Sequence, residues 1–316
     1  MCAGRIFQVR DHGGSNLFRA SNLDQRTGDA VILVVIVGET ATGKSALALM
    51  LAQRFNGEII CADSRTIYKG MHIGTAKPSL LDRHFVPHHL LDMVEPHEKF
   101  TAADFKKHSL HLIEDISARG KVPFLVGGSG LYVDAMLYDY TFAGRADLSR
   151  RAELDKLTIP ELQKLLRKKK IPLPENKLNK RYLIRALETG GTRKDPTRLR
   201  EHTIVLGTRL PQHELQQRVI ERVDAMFEAG LEPEVQQLVS RYGWESEAMK
   251  SVGYREFADY LGGSQTLEET RENIIQATMQ LAKKQRTWFK RNSGIHWPQY
   301  PRDFVELLED FLNKYQ

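Results

Sequence analysis

The first chemical signal lies in eight consecutive residues, Gly38-Glu39-Thr40-Ala41-Thr42-Gly43-Lys44-Ser45. Glycines at the first and sixth positions, followed by lysine and a hydroxyl residue, form a turn whose backbone N–H groups can point into one concavity. Lys44 adds a full positive charge there, and Ser45 offers an oxygen that can ligate Mg²⁺. Such a set holds two or more linked phosphates. Asp63 is the first carboxylate to consider with it. It could sit near the metal, as in phosphoryl transfer, or act as general base towards a second substrate; it could equally cap the turn that follows it. Arg218 and Arg222 stand four apart, hence on one helix face, where solvent exposure is the ordinary fate of either. Seven of the eleven histidines fall between His72 and His111, but no acid–histidine ligand spacing recurs, so they are not read as a metal centre.

These residues need particular elements to position them. The aliphatic, β-branched run Val31–Val37 ends at Gly38, as a strand buried on both faces does. Strong helix formers follow Ser45, so the phosphate motif has strand, turn and helix in the required order. Glu58–Ala62 is a second short strand, ending at Asp63, and Pro123–Val126 a third, ending at Gly127. Strands alternating with helices predict an α/β fold, a P-loop NTPase-like doubly wound parallel sheet. Ligands lie beyond the carboxyl ends of such strands, so the loops carrying Gly38, Asp63 and Gly127 should converge. From Asp139 to Glu201 the pattern turns helical and basic. Leu154, Leu157, Leu162, Leu165 and Leu166 read as one amphipathic stretch, and Tyr182–Leu187 as another. Strand character returns at Thr203–Gly207, then a helix from about Gln212 to Ala229 stops at Gly230. A last helix should run from about Leu267 to Lys290, with Thr266 and Glu269 at capping-box spacing. The expected organisation is a discontinuous core, 30–138 and 202–316, interrupted by a helical insertion over 139–201.

At 316 residues and 41% hydrophobic the chain can bury a sizeable core. No apolar run reaches membrane-spanning length. Residues 1–29 mix Arg5, Arg10, Arg19 and Arg26 with Asp11, Asp24 and Asp29, and lack the apolar segment of a secretory signal, so a disordered extension is expected. Cys2 and Cys61 are too few for a disulfide framework or a cysteine zinc site, which fits a reducing cytoplasm. The net charge of +6 is uneven: Pro160–Glu201 holds thirteen Lys/Arg against five Asp/Glu. A run such as Arg167-Lys168-Lys169-Lys170 is ordinarily a solvated face. A second basic stretch alters that: between Asn273 and Arg302 there is no acid, and Lys283, Lys284, Arg286, Lys290 and Arg291 surround Trp288 and Phe289. Two such regions are the footprint of a polyanion partner.

Further motifs follow in order: Asp63-Ser64-x-x-Ile67-Tyr68, Ile73-Gly74-Thr75-Ala76-Lys77-Pro78, Pro87-His88-His89-Leu90-Leu91-Asp92, Gly127-Gly128-Ser129-Gly130-Leu131-Tyr132, Val252-Gly253-Tyr254-Arg255 and Leu281-Ala282-Lys283-Lys284-Gln285-x-Thr287-Trp288-Phe289. With the phosphate turn, this set resembles the bacterial tRNA dimethylallyltransferases, which prenylate adenosine 37 beside the anticodon. The resemblance covers about residues 31–298 and is far more specific than the phosphate turn alone.

The resemblance implies that Gly38, Glu39, Thr40, Ala41, Thr42, Gly43, Lys44 and Ser45 cradle the diphosphate of dimethylallyl diphosphate, with Mg²⁺ on Ser45. Lys44 and Arg222 would stabilise the leaving group, and Asp63 would take a proton from the attacking N6 amine. Asp63, Ser64, Arg65, Thr66 and Ser129 match stretches that contact tRNA. So do Arg151 and the run Arg181, Tyr182, Leu183, Ile184 and Arg185. The same holds for Lys250, Ser251, Val252, Gly253, Tyr254 and Arg255, and for Lys283, Lys284, Gln285, Arg286, Thr287, Trp288, Phe289 and Lys290. The partner implied is the tRNA anticodon stem-loop, met by a cytoplasmic monomer. Glu39 departs from the family's usual proline and Thr66 from its frequent glutamine; an acid at position 39 would weaken anion binding if it faced inward, although that position normally points away. The insertion is short, and the Cys/His finger of eukaryotic relatives is absent from the C-terminal region.

Three other readings keep the residues but change the outcome. A P-loop small-molecule kinase would turn over ATP without RNA and leave both basic regions unexplained. An adenylate prenyltransferase would not need the basic insertion. An RNA-binding module with a nucleotide switch would bind RNA and change no bond.

Overall fold

The computed structural model describes residues 31–138, 140, 142, 148–191 and 199–315 of the chain. The expected extension over 1–29 lies outside the described residues.

Strand β1 (Leu33–Gly38) is buried at all six positions. Helix α1 (Lys44–Arg54), β2 (Gly57–Cys61), α2 (Leu80–Phe85), the two-residue β3 (His88–His89), α3 (Ala102–Ala118), β4 (Val122–Gly127) and α4 (Gly130–Leu137) follow. After three helices, α5 (Leu148–Lys156), α6 (Ile159–Lys168) and α7 (Lys180–Thr189), the chain re-enters the sheet as β5 (Thr203–Thr208). Helices α8 (Gln212–Glu228), α9 (Leu231–Tyr242), α10 (Ala258–Leu261) and α11 (Leu267–Phe289), then β6 (Ile295–His296) and α12 (Pro301–Asn313), complete it.

The six strands run parallel in the order β3-β2-β4-β1-β5-β6. Because β1 has helices on both faces, its alternate residues go to different cores. Leu33, Val35 and Val37 pack with Phe105, Ile113 and Ile116 of α3 and with Val133 and Met136 of α4. Val34 and Ile36 pack with Ala48 and Leu51 of α1 and Phe304, Leu308 and Leu312 of α12. This is the doubly wound architecture expected from the alternation of elements. The chain leaves β1 for β2, and β4 then returns between them, so the crevice at the carboxyl ends opens beside β1 and β4.

Two further cores lie off the sheet. Helices α8, α9 and α11 enclose Val219, Val223, Val235, Ile274, Tyr254 and Phe257 with Ile67 and Met71. Leu154, Leu162, Leu166, Leu183, Ile184 and Leu187 form a small core among α5, α6 and α7. The single amphipathic stretch expected over Leu154–Leu166 is two helices. Thr158 ends the run as the N-cap of α6, because its backbone N–H and hydroxyl both donate to the Glu161 carboxylate. Thr266 and Glu269 make the capping box read at the start of α11. Strands β3 and β6 and the individual helices α2, α3, α4, α9, α10 and α12 are additions to the sequence reading; two-residue strands carry no periodicity to detect.

Candidate active site

Beyond the ends of β1, β2 and β4 lies a cleft of about 700 Å³. Its floor comes from α1 and the turn before it, through Thr40, Lys44, Ser45 and Ala48. The loop after β2 gives Asp63, Ser64, Arg65 and Thr66, and the loop after β4 gives Gly127–Tyr132. Arg222 reaches in from α8; Lys250, Ser251, Val252 and Arg255 close one side, and Lys284, Gln285 and Trp288 of α11 another. Six stretches far apart in sequence thus meet in one concavity. Its deeper wall is apolar, with Ile59, Cys61, Val126 and Phe100.

The phosphate turn is held from behind. Gly43 has φ 89°, a conformation that suits glycine and lets the turn enter α1. Lys44 Nζ donates to the Glu39 carbonyl at 2.7 Å, and Thr42 Oγ1 donates to the same oxygen at 2.8 Å. Thr42 is buried, and its hydroxyl also lies 2.7 Å from that of Thr208 at the end of β5. The Thr42 side chain is therefore structural, and any contact it makes to phosphate must come from its backbone. Burial, with the neighbouring Arg222 charge, pulls the Lys44 ammonium down to about 8, against the opposing pull of Asp63 and Glu39. Desolvation also lowers Arg222, with Asp63 acting the other way. Two cations and one carboxylate thus share a half-buried corner that favours an incoming anion. Arg218, one turn earlier on α8, is exposed beside the outer edge of Gly43.

Asp63 is half-buried. Its Oδ1 accepts the Arg65 N–H at 2.7 Å, so the carboxylate does cap the turn after β2 while still lining the cleft. Across from it, Ser129 Oγ accepts the Ser64 N–H at 2.9 Å and donates to Ser64 Oγ at 3.3 Å, tying the β2 and β4 loops together. Trp288 Nε1 donates to Asp134 of α4 at 3.0 Å, and the indole lies so close to Gly130 that a Cβ there would stand 2.4 Å from the ring.

Several residues expected to meet tRNA have buried side chains. Phe289 and Tyr254 are buried in the first and third cores, Leu183 and Ile184 in the core of α5–α7, and Ser251 is 3% exposed with its hydroxyl on the Ala248 carbonyl. Their side chains have apolar or backbone partners, which leaves the backbone at these positions for any contact with tRNA. Thr66 lines the cleft although it is 6% exposed. Arg286 is committed to Glu39, its Nε and Nη2 donating at 2.6 and 2.8 Å. Glu39 does not line the cleft, so the acid in the turn faces away from the anion site. Arg181 and Tyr182 are exposed on α7, where Arg185 (3.3 Å) and Arg151 of α5 (3.5 Å) both pair with Glu188. None of the four lines the cleft, nor do Gly253, Lys283, Thr287 and Lys290.

Sequence reasoning missed Glu234. Its carboxylate on α9 accepts the backbone N–H groups of His72, Ile73 and Gly74 and the Tyr254 hydroxyl. The turn it holds supplies Gly74, Thr75, Ala76 and Pro78 to the cleft wall. An acid on an amphipathic helix carries no sequence signal for such a role. Of the histidines, His89 bonds the buried Glu58, and His88 bonds the Val86 carbonyl. Among the described residues, no three His, Cys, Asp or Glu cluster as a metal site. The oxygen donors at hand, Ser45 and Asp63, suit a hard cation such as Mg²⁺ that takes most of its remaining ligands from substrate phosphates and water. No helix among the described residues is long and apolar enough to cross a membrane.

Comparison with known proteins places this geometry. The family described as IPP transferase matches residues 66–292. The tRNA dimethylallyltransferase 2 of Geotalea uraniireducens is 41% identical over 302 residues, covering 90% of this chain and 97% of that protein. The tRNA dimethylallyltransferase of Streptococcus pneumoniae is 37% identical, covering 89% and 98%. Among solved structures, the full-length tRNA isopentenylpyrophosphate transferase of Bacillus halodurans aligns with a TM-score of 0.70 at 35% identity, over 90% of this chain and 97% of that one. A eukaryotic dimethylallyltransferase acting on tRNA aligns with a TM-score of 0.73 at 28% identity, over 84% and 73%.

Proposed function

The chain belongs to the IPP transferase family, and from that premise we propose that it is a tRNA dimethylallyltransferase, moving the five-carbon group of dimethylallyl diphosphate onto N6 of adenosine 37 in tRNAs that read codons beginning with U. The observation that carries this reading is the meeting of Lys44, Arg222 and Asp63 in one cleft whose walls include Lys250, Arg255 and Lys284. A nucleotide hydrolase needs the first cluster; only a nucleic-acid substrate calls for the second.

The diphosphate lies over the turn before α1, against Lys44, the Ser45 hydroxyl and Arg222. The apolar wall formed by Ile59, Cys61, Val126 and Phe100 receives the prenyl tail. The allylic C–O bond breaks, its electron pair leaves on the diphosphate oxygen, and Lys44 and Arg222 stabilise that charge in place. The N6 amine attacks the allylic carbon, and Asp63 accepts its proton, a transfer worth about 10²–10⁴ in rate. The Asp63 carboxylate is already oriented, because the Arg65 N–H fixes one of its oxygens. Mg²⁺, when bound through Ser45 and the substrate, supplies further neutralisation of the diphosphate. A stacked adenine cannot reach this depth, so the base must be flipped out, at about a few kcal/mol.

Helices α5, α6 and α7 serve as the grip on the anticodon stem-loop, with Arg181 and Tyr182 exposed on α7. The test incubates purified protein with Mg²⁺, dimethylallyl diphosphate and unmodified tRNA whose loop carries adenosines at 36 and 37, followed by mass spectrometry of nucleosides. An isopentenyl mass on adenosine is expected; its absence would overturn the reading.

A further inference from the structure

Glu39 is an acid inside the turn that must hold an anion, and its side chain is only 4% exposed. An ionised carboxylate in such a place needs a partner and hydrogen bonds. It has both: Arg286 Nε and Nη2 each donate to one of its oxygens, at 2.6 and 2.8 Å, the two-pronged geometry in which guanidinium surpasses ammonium. Arg286 Nη2 also reaches the Leu210 carbonyl at 3.3 Å.

The consequence lies one bond further on. The Glu39 carbonyl is the oxygen that holds Lys44 Nζ and the Thr42 hydroxyl, so whatever fixes the Glu39 peptide fixes the lysine that meets the diphosphate. The preceding residue on α11 acts on the same turn: Gln285 accepts the Thr40 N–H at 2.8 Å and donates to the Gly128 carbonyl at 3.1 Å. Helix α11 therefore clamps the turn at two consecutive positions, while Lys284 and Trp288 of the same helix line the cleft.

We propose that Arg286 is a positioning residue for the diphosphate cradle, acting through Glu39 on Lys44, and not a contact to RNA. This rests on the reading of the cleft as a diphosphate site. Arg286 Nε and Nη2 are already engaged by Glu39 and the Leu210 carbonyl, so its charge is matched within the protein, although the side chain is 42% exposed. Without it, Glu39 would be a buried, uncompensated negative charge close enough to Lys44 to compete with the incoming anion. Loss of Arg286 should then weaken diphosphate binding, and removal of the Glu39 charge should restore it.

The test titrates inorganic diphosphate with Mg²⁺ into the wild type, Arg286→Gln, Glu39→Gln and the double variant by calorimetry, with an anticodon stem-loop titrated in parallel. Arg286→Gln should weaken diphosphate binding at least about tenfold, as loss of one partner of a buried pair does. The double variant should return to within about threefold of wild type, and stem-loop affinity should change by less than about threefold throughout. Should Arg286→Gln fail to fold, Glu39→Gln against the double variant decides: with the carboxylate gone, losing Arg286 should change little, and a loss that persists would overturn the proposal. Unchanged diphosphate binding with weakened stem-loop binding in both Arg286 variants would make Arg286 an RNA contact and overturn it. Wild type that binds no diphosphate would overturn the reading of the cleft, and the proposal with it.

Discussion

The Tyr254 hydroxyl donates to Glu234 Oε1 at 2.6 Å, and the same carboxylate accepts three consecutive backbone N–H groups, those of His72, Ile73 and Gly74, at 2.8–3.1 Å. One acid from α9 thereby seats both the turn that lines the cleft and the segment bearing Lys250 and Arg255. Gly74 is required at this junction, since a Cβ there would stand 2.5 Å from the Tyr254 ring.

Glu234→Ala removes the acceptor from four donors at once. Stranded donors cost about 1–3 kcal/mol each, with water relieving those at the edge. Urea unfolding should show a loss of at least about 2 kcal/mol. Tyr254→Phe, which removes one donor and leaves the backbone bonds intact, should cost about 1 kcal/mol. Equal losses in the two variants would mean that the backbone bonds contribute nothing.

Lys44 gives a pH dependence. Burial holds its ammonium at about 8, below the usual lysine value, so the charge is present below that pH and lost above it. The groups facing it are Arg222, Asp63 and Glu39. Affinity for inorganic diphosphate should therefore fall as pH rises through about 8, and Lys44→Arg, which keeps its charge, should flatten that fall. Calorimetry between about pH 6.5 and 9.5 measures both, and parallel curves would assign the fall to a group other than Lys44.

Asp63→Ala should lower transfer by about 10²–10⁴ and leave stem-loop affinity within a few fold. The Arg65 N–H loses its partner too, so a small drop in melting temperature should accompany it. Single-turnover rates and binding titrations separate the two effects; weakened binding with intact chemistry would reverse the assignment.

The insertion is tested by salt. Arg181 is exposed, whereas Arg185 shares Glu188 with Arg151. Arg181→Gln should lower the slope of log affinity against log salt by about one, as loss of one phosphate contact does. Arg185→Gln should lower it by less. An unchanged slope in both would leave these charges facing solvent.

Thr158→Ala should loosen α6, because the Thr158 hydroxyl and N–H both bond Glu161. Loss of such a cap costs about 1 kcal/mol. Hydrogen exchange in 159–168 should rise without change in the sheet.

Much of the fold was legible because it rests on local rules. Strands buried on two faces read as short runs of Val and Ile, and β1, β2, β4 and β5 all did. The capping box at Thr266 and the glycine stop at Gly230 fixed the ends of long helices. Strand β6 was illegible, since two residues have no period and their pairing with β5 is decided across 90 residues of chain.

The candidate site divides along the same line. The sequence by itself determined that a turn of the phosphate-holding type stands at Gly38–Ser45, that an acid stands at the neighbouring strand end, and that two basic regions accompany them. These are matters of residue type and short spacing, which the backbone cannot rearrange. Only the tertiary structure decided which side chains in the basic segments remain available. Phe289 and Tyr254 are drawn into cores by burial of apolar surface, while Arg286 is drawn to Glu39 because a buried carboxylate demands a cation. That demand acts between residues 247 positions apart, and no local pattern encodes it.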